Sequence, residues 1–424
     1  MRPTRFLLAT SRLIVLGAVL FGPTVPAALP PGLPDPALQP ARLVPPPEAE
    51  AAVAARRSQG VPGLERAPGG RLWAAWYAAT SPRGVESPGS FIVVVTSEDD
   101  GRSWSGPRFV VLPPRLCRVY DPCLWLDPQR RLWFFWAQSA GMQDGRMGVW
   151  AVVADDPDAR QPTWSEPRRV AHGVMMNKPT VLRRGDWLLP IGLWRDNDGL
   201  PNVTTSAAEL APYTRDMVIH DLGEERGSNV IVSRDQGRTF AFLGQARVPP
   251  TRVDEHMVVE KKDGRLWMLV RTTFGIGQSF SDDGGQTWSA GTTYLDRATA
   301  VPSARFFIRR LQSGALLMVR HDGRVTRTRS HLAAFISDDD GATWKGGLML
   351  DDRQRVTYPD GTQAPDGTIH VIYDFERGTL TREGHAGVGA VMFATFTEAD
   401  VRAGRPVSDR IRLRTVINQI RPSP

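Results

Sequence analysis

Apolar and polar positions along this chain fall into short runs, and one arrangement keeps returning. A turn, usually carrying Gly, leads into an apolar strand-like segment: Gly69-Gly70-Arg71-Leu72-Trp73, Gln129-Arg130-Arg131-Leu132-Trp133 and Arg184-Gly185-Asp186-Trp187-Leu188. The same arrangement appears at Asp263-Gly264-Arg265-Leu266-Trp267, Ser313-Gly314-Ala315-Leu316-Leu317 and Asp366-Gly367-Thr368-Ile369-His370. Short runs of β-branched and aromatic residues bounded by such turns are strand signals. From Arg71 through Arg131, Asp186, Arg265, Ala315 and Thr368, the intervals are 60, 55, 79, 50 and 53 residues. Repeats of this length, each holding several short strands, match the blades of a β-propeller. The fold class predicted is therefore all-β, a six-bladed β-propeller. The long interval marks an insertion between Asp196 and Asp221. Gly389 to Phe396 supplies a strand for the last blade, and closure is expected by pairing of the chain's two ends, which removes open sheet edges.

A second turn recurs in register with the first. It reads Ser-x-Asp-x-Gly-x-Thr-Trp or a close variant, at Ser97–Trp104, Ser233–Phe240, Ser281–Trp288 and Ser337–Trp344, with a degenerate copy at Ala154–Trp164. Ser, Asp and Thr side chains can bond to nearby backbone and hold such a turn, and the Trp can pack between hairpins. Asp99, Asp235, Asp283 and Asp339 are accordingly expected to be structural. The stretch Asp254–Trp288 holds both turn types together.

The N-terminus has a different pattern. Arg2 and Arg5 precede an apolar stretch from Phe6 to Phe21, broken by Ser11 and Arg12, and small residues follow at Val25-Pro26-Ala27-Ala28. This is a signal-peptide pattern over residues 1–28, with cleavage near Ala27 or Ala28. A membrane anchor fits less well, because Arg12 shortens the continuous apolar run to Leu13–Gly22. Residues 29–50 are rich in Pro and Ala and are expected to be a linker without a core. Residues 51–424 are assigned to the propeller. An exported protein, periplasmic or secreted, is expected, without stable membrane insertion and as a monomer.

Composition narrows the chemistry. Net charge is +7, yet Arg is scattered and no Lys-rich run exists. Nucleic acid is therefore not an expected partner, and attraction to acidic glycans is the better use of the charge. Cys117 and Cys123, the two cysteines present, can pair across a loop in an exported protein. They are too few for a metal site and no nearby His completes one, so no metal or other cofactor is implied.

With four of these turns, now read as Asp boxes, in register with a six-fold repeat, the sequence resembles the sialidase (neuraminidase) superfamily, specifically its bacterial Asp-box proteins. The resemblance extends over nearly everything after residue 55. It implies a six-bladed propeller with a substrate site at one end of the central channel. It also implies a Tyr nucleophile, a Glu that deprotonates it, an Asp acid/base and three Arg that clamp a sugar carboxylate. A neutral phenol suits an anionic sugar, which would repel a carboxylate nucleophile, but it needs a neighbouring base. Arg offers planar, bidentate recognition of the carboxylate.

Carried over position by position, the catalytic Glu falls on Glu255 and the nucleophile on Tyr358. Two clamp positions fall on Arg271 and Arg329, with Arg327 a weaker alternative to Arg329. Two positions depart from the pattern. Gly60, in Gln59-Gly60-Val61-Pro62, stands where the first clamp Arg is expected. The loop before the first Asp box lacks an Asp, and Glu86 is its nearest carboxylate; Glu65 is a further carboxylate nearby. Arg305 is a candidate substitute for the missing clamp. Arg118, Asp121 and Lys178 are further candidates for substrate contact, as are Asn177 and His321. The implied activity is exo-hydrolysis of a terminal acidic sugar by a retaining mechanism. A lyase or glycosidase on another uronic or keto-acid sugar, with His256 in proton transfer, and a non-catalytic glycan-binding propeller are the alternatives.

Overall fold

The protein is described from a computed structural model. It covers residues 35–420, apart from 82–83, 88, 141–146, 195–224, 252, 297–301, 324–327 and 378–386. The stretch expected to be a signal peptide, the expected insertion between 196 and 221, and Arg327 lie outside the described residues.

Six antiparallel sheets follow one another along the chain. The first contains β1 (Arg42–Val44), β2 (Ser58–Arg66), β3 (Leu72–Ala79), β4 (Phe91–Ser97) and β5 (Phe109–Leu112), in the order β1-β5-β4-β3-β2. The second runs β6 (Cys117–Leu126), β7 (Leu132–Ala140), β8 (Gly148–Ala154), β9 (Arg168–His172). The third runs β10 (Thr180–Val181), β11 (Trp187–Leu193), β12 (Gly227–Ser233), β13 (Ala241–Ala246). The fourth runs β14 (Met257–Glu260), β15 (Leu266–Arg271), β16 (Gly275–Ser281), β17 (Thr292–Asp296). The fifth runs β18 (Phe307–Arg310), β19 (Leu316–His321), β20 (Leu332–Ser337), β21 (Lys345–Asp351). The sixth runs β22 (Val356–Gln363), β23 (Ile369–Phe375), β24 (Ala390–Phe396), β25 (Arg412–Gln419). The first strands of neighbouring blades touch, β2 with β6 and β22, and β14 with β10 and β18. They form the inner ring of a six-bladed propeller.

Closure differs from the expected pairing of the two chain ends. Each blade is built from one contiguous segment, so the first and sixth share no sheet. They are joined by side chains and loop backbone. Asp374 accepts a hydrogen bond from the Val61 amide at 2.8 Å, Asp360 accepts one from the Leu64 amide at 2.8 Å, and Gln59 donates to the Gly389 carbonyl at 2.8 Å. Residues 42–44, inside the stretch expected to be a linker, form β1 and cover the outer edge of the first blade by pairing with β5.

The four Ser-x-Asp turns share one hydrogen-bond pattern. In the fourth, Ser337 Oγ donates to Asp339 at 2.8 Å, Asp339 accepts from the Thr343 amide at 2.8 Å and hydroxyl at 2.6 Å, and the Gly341 amide donates to Ser337 Oγ at 2.8 Å. Gly341 has φ +87°, and a Cβ there would lie 2.5 Å from an atom of the Trp267 ring on the preceding blade. Only glycine meets both requirements. These hydrogen bonds hold Asp99 and Asp235 at about 2 and keep Asp283 and Asp339 well below the ordinary range. All four join the third and fourth strands of a single blade, counted from the inner ring.

Cys117 and Cys123 sit six residues apart on β6, opposite Ala140 and Phe135 of β7. At about 3.3 Å per residue the separation is on the order of 20 Å, far beyond disulfide reach. The pairing that an exported protein would allow is therefore not made, and neither cysteine is in a disulfide.

Candidate functional site

Three inner strands carry the same irregularity. Opposite their second strands, β2 steps from Gly60 to Gly63, β6 from Tyr120 to Cys123, and β22 from Thr357 to Asp360, each three residues against two. One extra residue per strand is a β-bulge, a device that re-aims side chains beside functional sites. The bulged residues are Val61-Pro62, Asp121-Pro122 and Tyr358-Pro359. Val61, Asp121 and Tyr358 have φ of 54°, 50° and 55°, and Glu255, just before β14, has φ 33°. Left-handed backbone is unfavourable for side-chain-bearing residues. Its occurrence at matching points of several blades marks a shared purpose at this end of the inner ring.

Glu255, 5% exposed, and Tyr358, 7% exposed, meet there although 103 residues separate them. The Tyr358 hydroxyl donates to Glu255 Oε1 at 3.3 Å. Arg271, the last residue of β15, donates to the same oxygen at 2.6 Å and lies 3.4 Å from the Tyr358 oxygen. Glu255 Oε2 is buried and has no hydrogen-bond partner among the described residues. Burial, and then the charge of Glu255, hold the Tyr358 phenol above its ordinary value of 10, against the pull of Arg271, Arg377 and Arg329. At neutral pH the phenol keeps its proton and needs a base to release it.

The remaining expected residues fall into two groups. Arg329 belongs with the pair: its guanidinium carbon lies 5.9 Å from the Tyr358 ring centre and its Nη2 donates to the Ser303 carbonyl at 3.0 Å. Glu86, on the β3–β4 loop with its side chain 48% exposed, accepts from Tyr77 at 3.2 Å and Arg118 at 3.4 Å. Partial burial raises its pKa, but Arg118 and Arg377 outweigh that and hold it below the ordinary carboxylate range. Arg118 is buried and stacks 3.7 Å from the Tyr120 ring centre. Asp121 is 4% exposed, and burial, followed by the charge of Glu86, pushes its carboxyl up to about 8. It is a protonated acid at neutral pH.

Arg305 and Lys178 have other partners. Arg305, 1% exposed, donates to Asn177 Oδ1 and to the Met176 carbonyl, both at 2.9 Å. Lys178 Nζ donates to the Leu64 and Leu124 carbonyls at 2.5 Å and lies 3.3 Å from Glu65 and 3.2 Å from Asp360. Together they tie blades one, two, three, five and six across the channel. His256 and His321 are buried against the carbonyls of Asn229 and Val356, at 2.7 and 2.8 Å. Burial holds both imidazoles down at about 4.

One cation at the centre has no counterpart among the residues singled out from sequence. Arg377, just after β23, places its guanidinium carbon 4.5 Å from the Tyr358 ring centre. Its Nε lies 3.4 Å from Asp374 and its Nη1 3.6 Å from Glu86. Its position after the last turn-strand unit was readable, but nothing in the local pattern distinguishes it from other Arg at strand ends. The cluster thus sets a hydrogen-bonded phenol–carboxylate pair among Arg271, Arg329 and Arg377, with Arg118 beside Glu86. That arrangement can hold an anion and deliver a phenol oxygen to it.

A model of the BNR repeat-like domain matches residues 117–371. Among solved structures, a Hadza microbial sialidase is similar at 21% identity and TM-score 0.56, covering 74% of this chain. This chain spans 63% of that protein's length. The leech intramolecular trans-sialidase, solved with 2,7-anhydro-Neu5Ac, is similar at 14% identity and TM-score 0.59, covering 84% of this chain and 70% of its own. The α-L-arabinanase of Penicillium chrysogenum, solved with arabinobiose, is similar at 14% identity and TM-score 0.51, covering 86% and 99%. At these identities the likeness is one of fold. No curated protein sequence matches the chain.

Proposed function

We propose that this chain, which belongs to the BNR repeat-like family, is an exported exo-glycosidase that hydrolyses a terminal acidic sugar from glycans with retention. The observation that carries the reading is the hydrogen bond from Tyr358 to Glu255, 103 positions apart, with Arg271 on the same carboxylate. A binding module has no need of a buried phenol aimed at a carboxylate. The arginines favour an anionic sugar over a neutral one such as the arabinose units of the arabinanase's ligand.

In the proposed reaction, Arg271 and Arg329 hold the sugar carboxylate. Tyr358 Oη attacks the anomeric carbon as Glu255 takes its proton, and the bond to the departing oxygen breaks. Glu86 protonates that oxygen. Water then attacks the anomeric carbon, giving a proton to Glu86, the bond to Tyr358 breaks, and Glu255 returns the proton to the phenolate oxygen. Glu86 begins deprotonated, held so by Arg118 and Arg377. A bound carboxylate would draw on that positive charge and exclude water, and both changes raise the Glu86 pKa. Glu86 thus takes a proton from solvent as the substrate binds, gives it to the departing oxygen, and releases the proton gained from water to solvent when the product leaves. Asp121, protonated at neutral pH, donates a hydrogen bond to a sugar oxygen. The lyase reading loses ground because His256 is 1% exposed and engaged with a backbone carbonyl.

Tyr358→Phe tests the proposal by removing one oxygen while keeping the ring. Turnover of every acidic glycoside that the native protein cleaves should be abolished with the fold intact. Activity within about tenfold of native would reject the nucleophile.

A further inference from the structure

The expected first clamp position holds Gly60, and its surroundings explain what fills the space. A Cβ added at Gly60 would clash with Arg377 Cγ and lie 2.5 Å from Arg377 Cδ and 2.8 Å from Asp374 Oδ2. The volume that a side chain at 60 would need is thus occupied by the stem of Arg377, which enters from the sixth blade. Backbone contacts fix the approach: the Gln59 amide donates to the Arg377 carbonyl at 3.2 Å, and the Val61 amide donates to Asp374 Oδ2 at 2.8 Å.

We infer that Arg377 is the third carboxylate-binding arginine of this site, delivered from the sixth blade through the gap that Gly60 leaves in the first. The inference rests on the acidic-sugar reading above and names the residue that completes it. Three arginines then surround one phenol. Arg271 lies 3.4 Å from the Tyr358 oxygen, and the guanidinium carbons of Arg329 and Arg377 lie 5.9 and 4.5 Å from its ring centre. The site is held ready by acids: Asp374, buried, lies 3.4 Å from Arg377 Nε, and Glu86 lies 3.6 Å from Nη1. Asp374 Oδ1 is buried without a hydrogen-bond partner among the described residues. The neighbouring acids leave the planar guanidinium short of the bidentate partner it is shaped to take. Arg305, the substitute suggested by sequence, already donates to Asn177 and Met176.

The arrangement also predicts a dependence between positions 60 and 377. Gly60→Ala leaves every arginine in the chain but displaces Arg377 by steric contact. Arg377→Ala removes the cation and empties the space. Gly60→Arg combined with Arg377→Ala puts a guanidinium back into the same volume from the opposite blade.

The test measures binding of N-acetylneuraminic acid and of its C1 carboxamide by calorimetry, for the native chain and the three variants, with thermal melting as a check on folding. The native protein should prefer the acid. Arg377→Ala and Gly60→Ala should each weaken binding of the acid by about ten- to a hundredfold, from the loss of one charge-assisted contact. Binding of the amide should change by no more than about threefold. The double variant should recover at least part of the lost preference. If the native protein prefers the acid and Arg377→Ala keeps the full preference, the assignment of Arg377 is overturned while the acidic-sugar reading stands. If the native protein shows no preference for the acid, both are overturned. Should Arg377→Ala fail to fold, Gly60→Ala decides: an unchanged preference for the acid in that variant overturns the inference.

Discussion

Raising the pH should destabilise this protein most strongly through Asp121, whose carboxyl is raised further than those of Asp254 and Asp374. Its side chain is 4% exposed in the bulge of β6. Burial first, then the charge of Glu86 and that of Glu255, lift its pKa from the ordinary 3.8 to about 8, against Arg118 and Arg305. The folded chain thus keeps a proton that the unfolded chain has lost throughout the interval between those values. The stability this proton confers is complete below about pH 4 and is lost progressively as pH rises through 8. At about 1.4 kcal/mol per pH unit, the whole interval of roughly four units corresponds to a loss on the order of 6 kcal/mol. With about 2.1 cal/mol/K of unfolding entropy per residue, a chain of this size changes its Tm by roughly 1.5–2 °C per pH unit from this group alone. The assay is thermal melting at pH 5, 6, 7 and 8 for the native chain and Asp121→Asn, which cannot ionise. The native Tm should fall relative to the variant by roughly 4–6 °C across that range. Curves that stay parallel within about 1 °C would refute the argument, because Asp121 would then titrate near its unfolded value.

Glu255→Gln keeps the shape of the side chain but removes the base and the anion that holds Arg271 at 2.6 Å. It should lower kcat by about a hundred- to ten-thousandfold, measured at saturating substrate, and lower the Tm as a largely buried cation, 12% exposed, loses its partner. Lys178→Met should act on the fold, because it leaves Glu65 and Asp360 facing each other in the channel wall. A loss of about 3–5 kcal/mol is expected, read by denaturant titration. Cys123, whose thiol burial pushes up to about 12, should resist alkylation by iodoacetamide in the native state and react on unfolding. A reducing agent should leave the Tm unchanged, since Cys117 and Cys123 cannot reach one another.

The propeller was legible because its signal is repeated. A Gly turn followed by Leu-Trp or a similar pair, returning at blade intervals, fixes the number of blades even where single strands are ambiguous. The Ser-x-Asp turns were legible for a local reason, since all their bonding groups lie within seven residues. Closure was not legible, because it depends on Gln59, Asp360 and Asp374 reaching across from distant parts of the chain. By local rules the X-Pro steps Asp121-Pro122 and Tyr358-Pro359 read as turns. Pro also fits a bulge, where its missing amide leaves no unmet hydrogen bond, and only the strand register separates the two. Arg305 and Lys178 carry the charge expected of substrate ligands, yet local sequence does not reveal that buried carbonyls and carboxylates already engage them. Arg377 was hidden for the opposite reason. Its position matters only in relation to the absent side chain at Gly60, more than three hundred residues away.

The most direct test of the central claim is to trap the intermediate. An acidic keto-sugar fluoride with a second fluorine beside the anomeric carbon destabilises the oxocarbenium-like transition states through which the covalent intermediate forms and breaks down, but the anomeric fluoride departs readily enough to load the enzyme. Mass spectrometry of the digested protein should find the sugar covalently attached to the peptide containing Tyr358, and the adduct should be absent in Tyr358→Phe. Attachment to Glu255 or Glu86, or fluoride release with no adduct and inverted product, would contradict a tyrosine-based retaining mechanism.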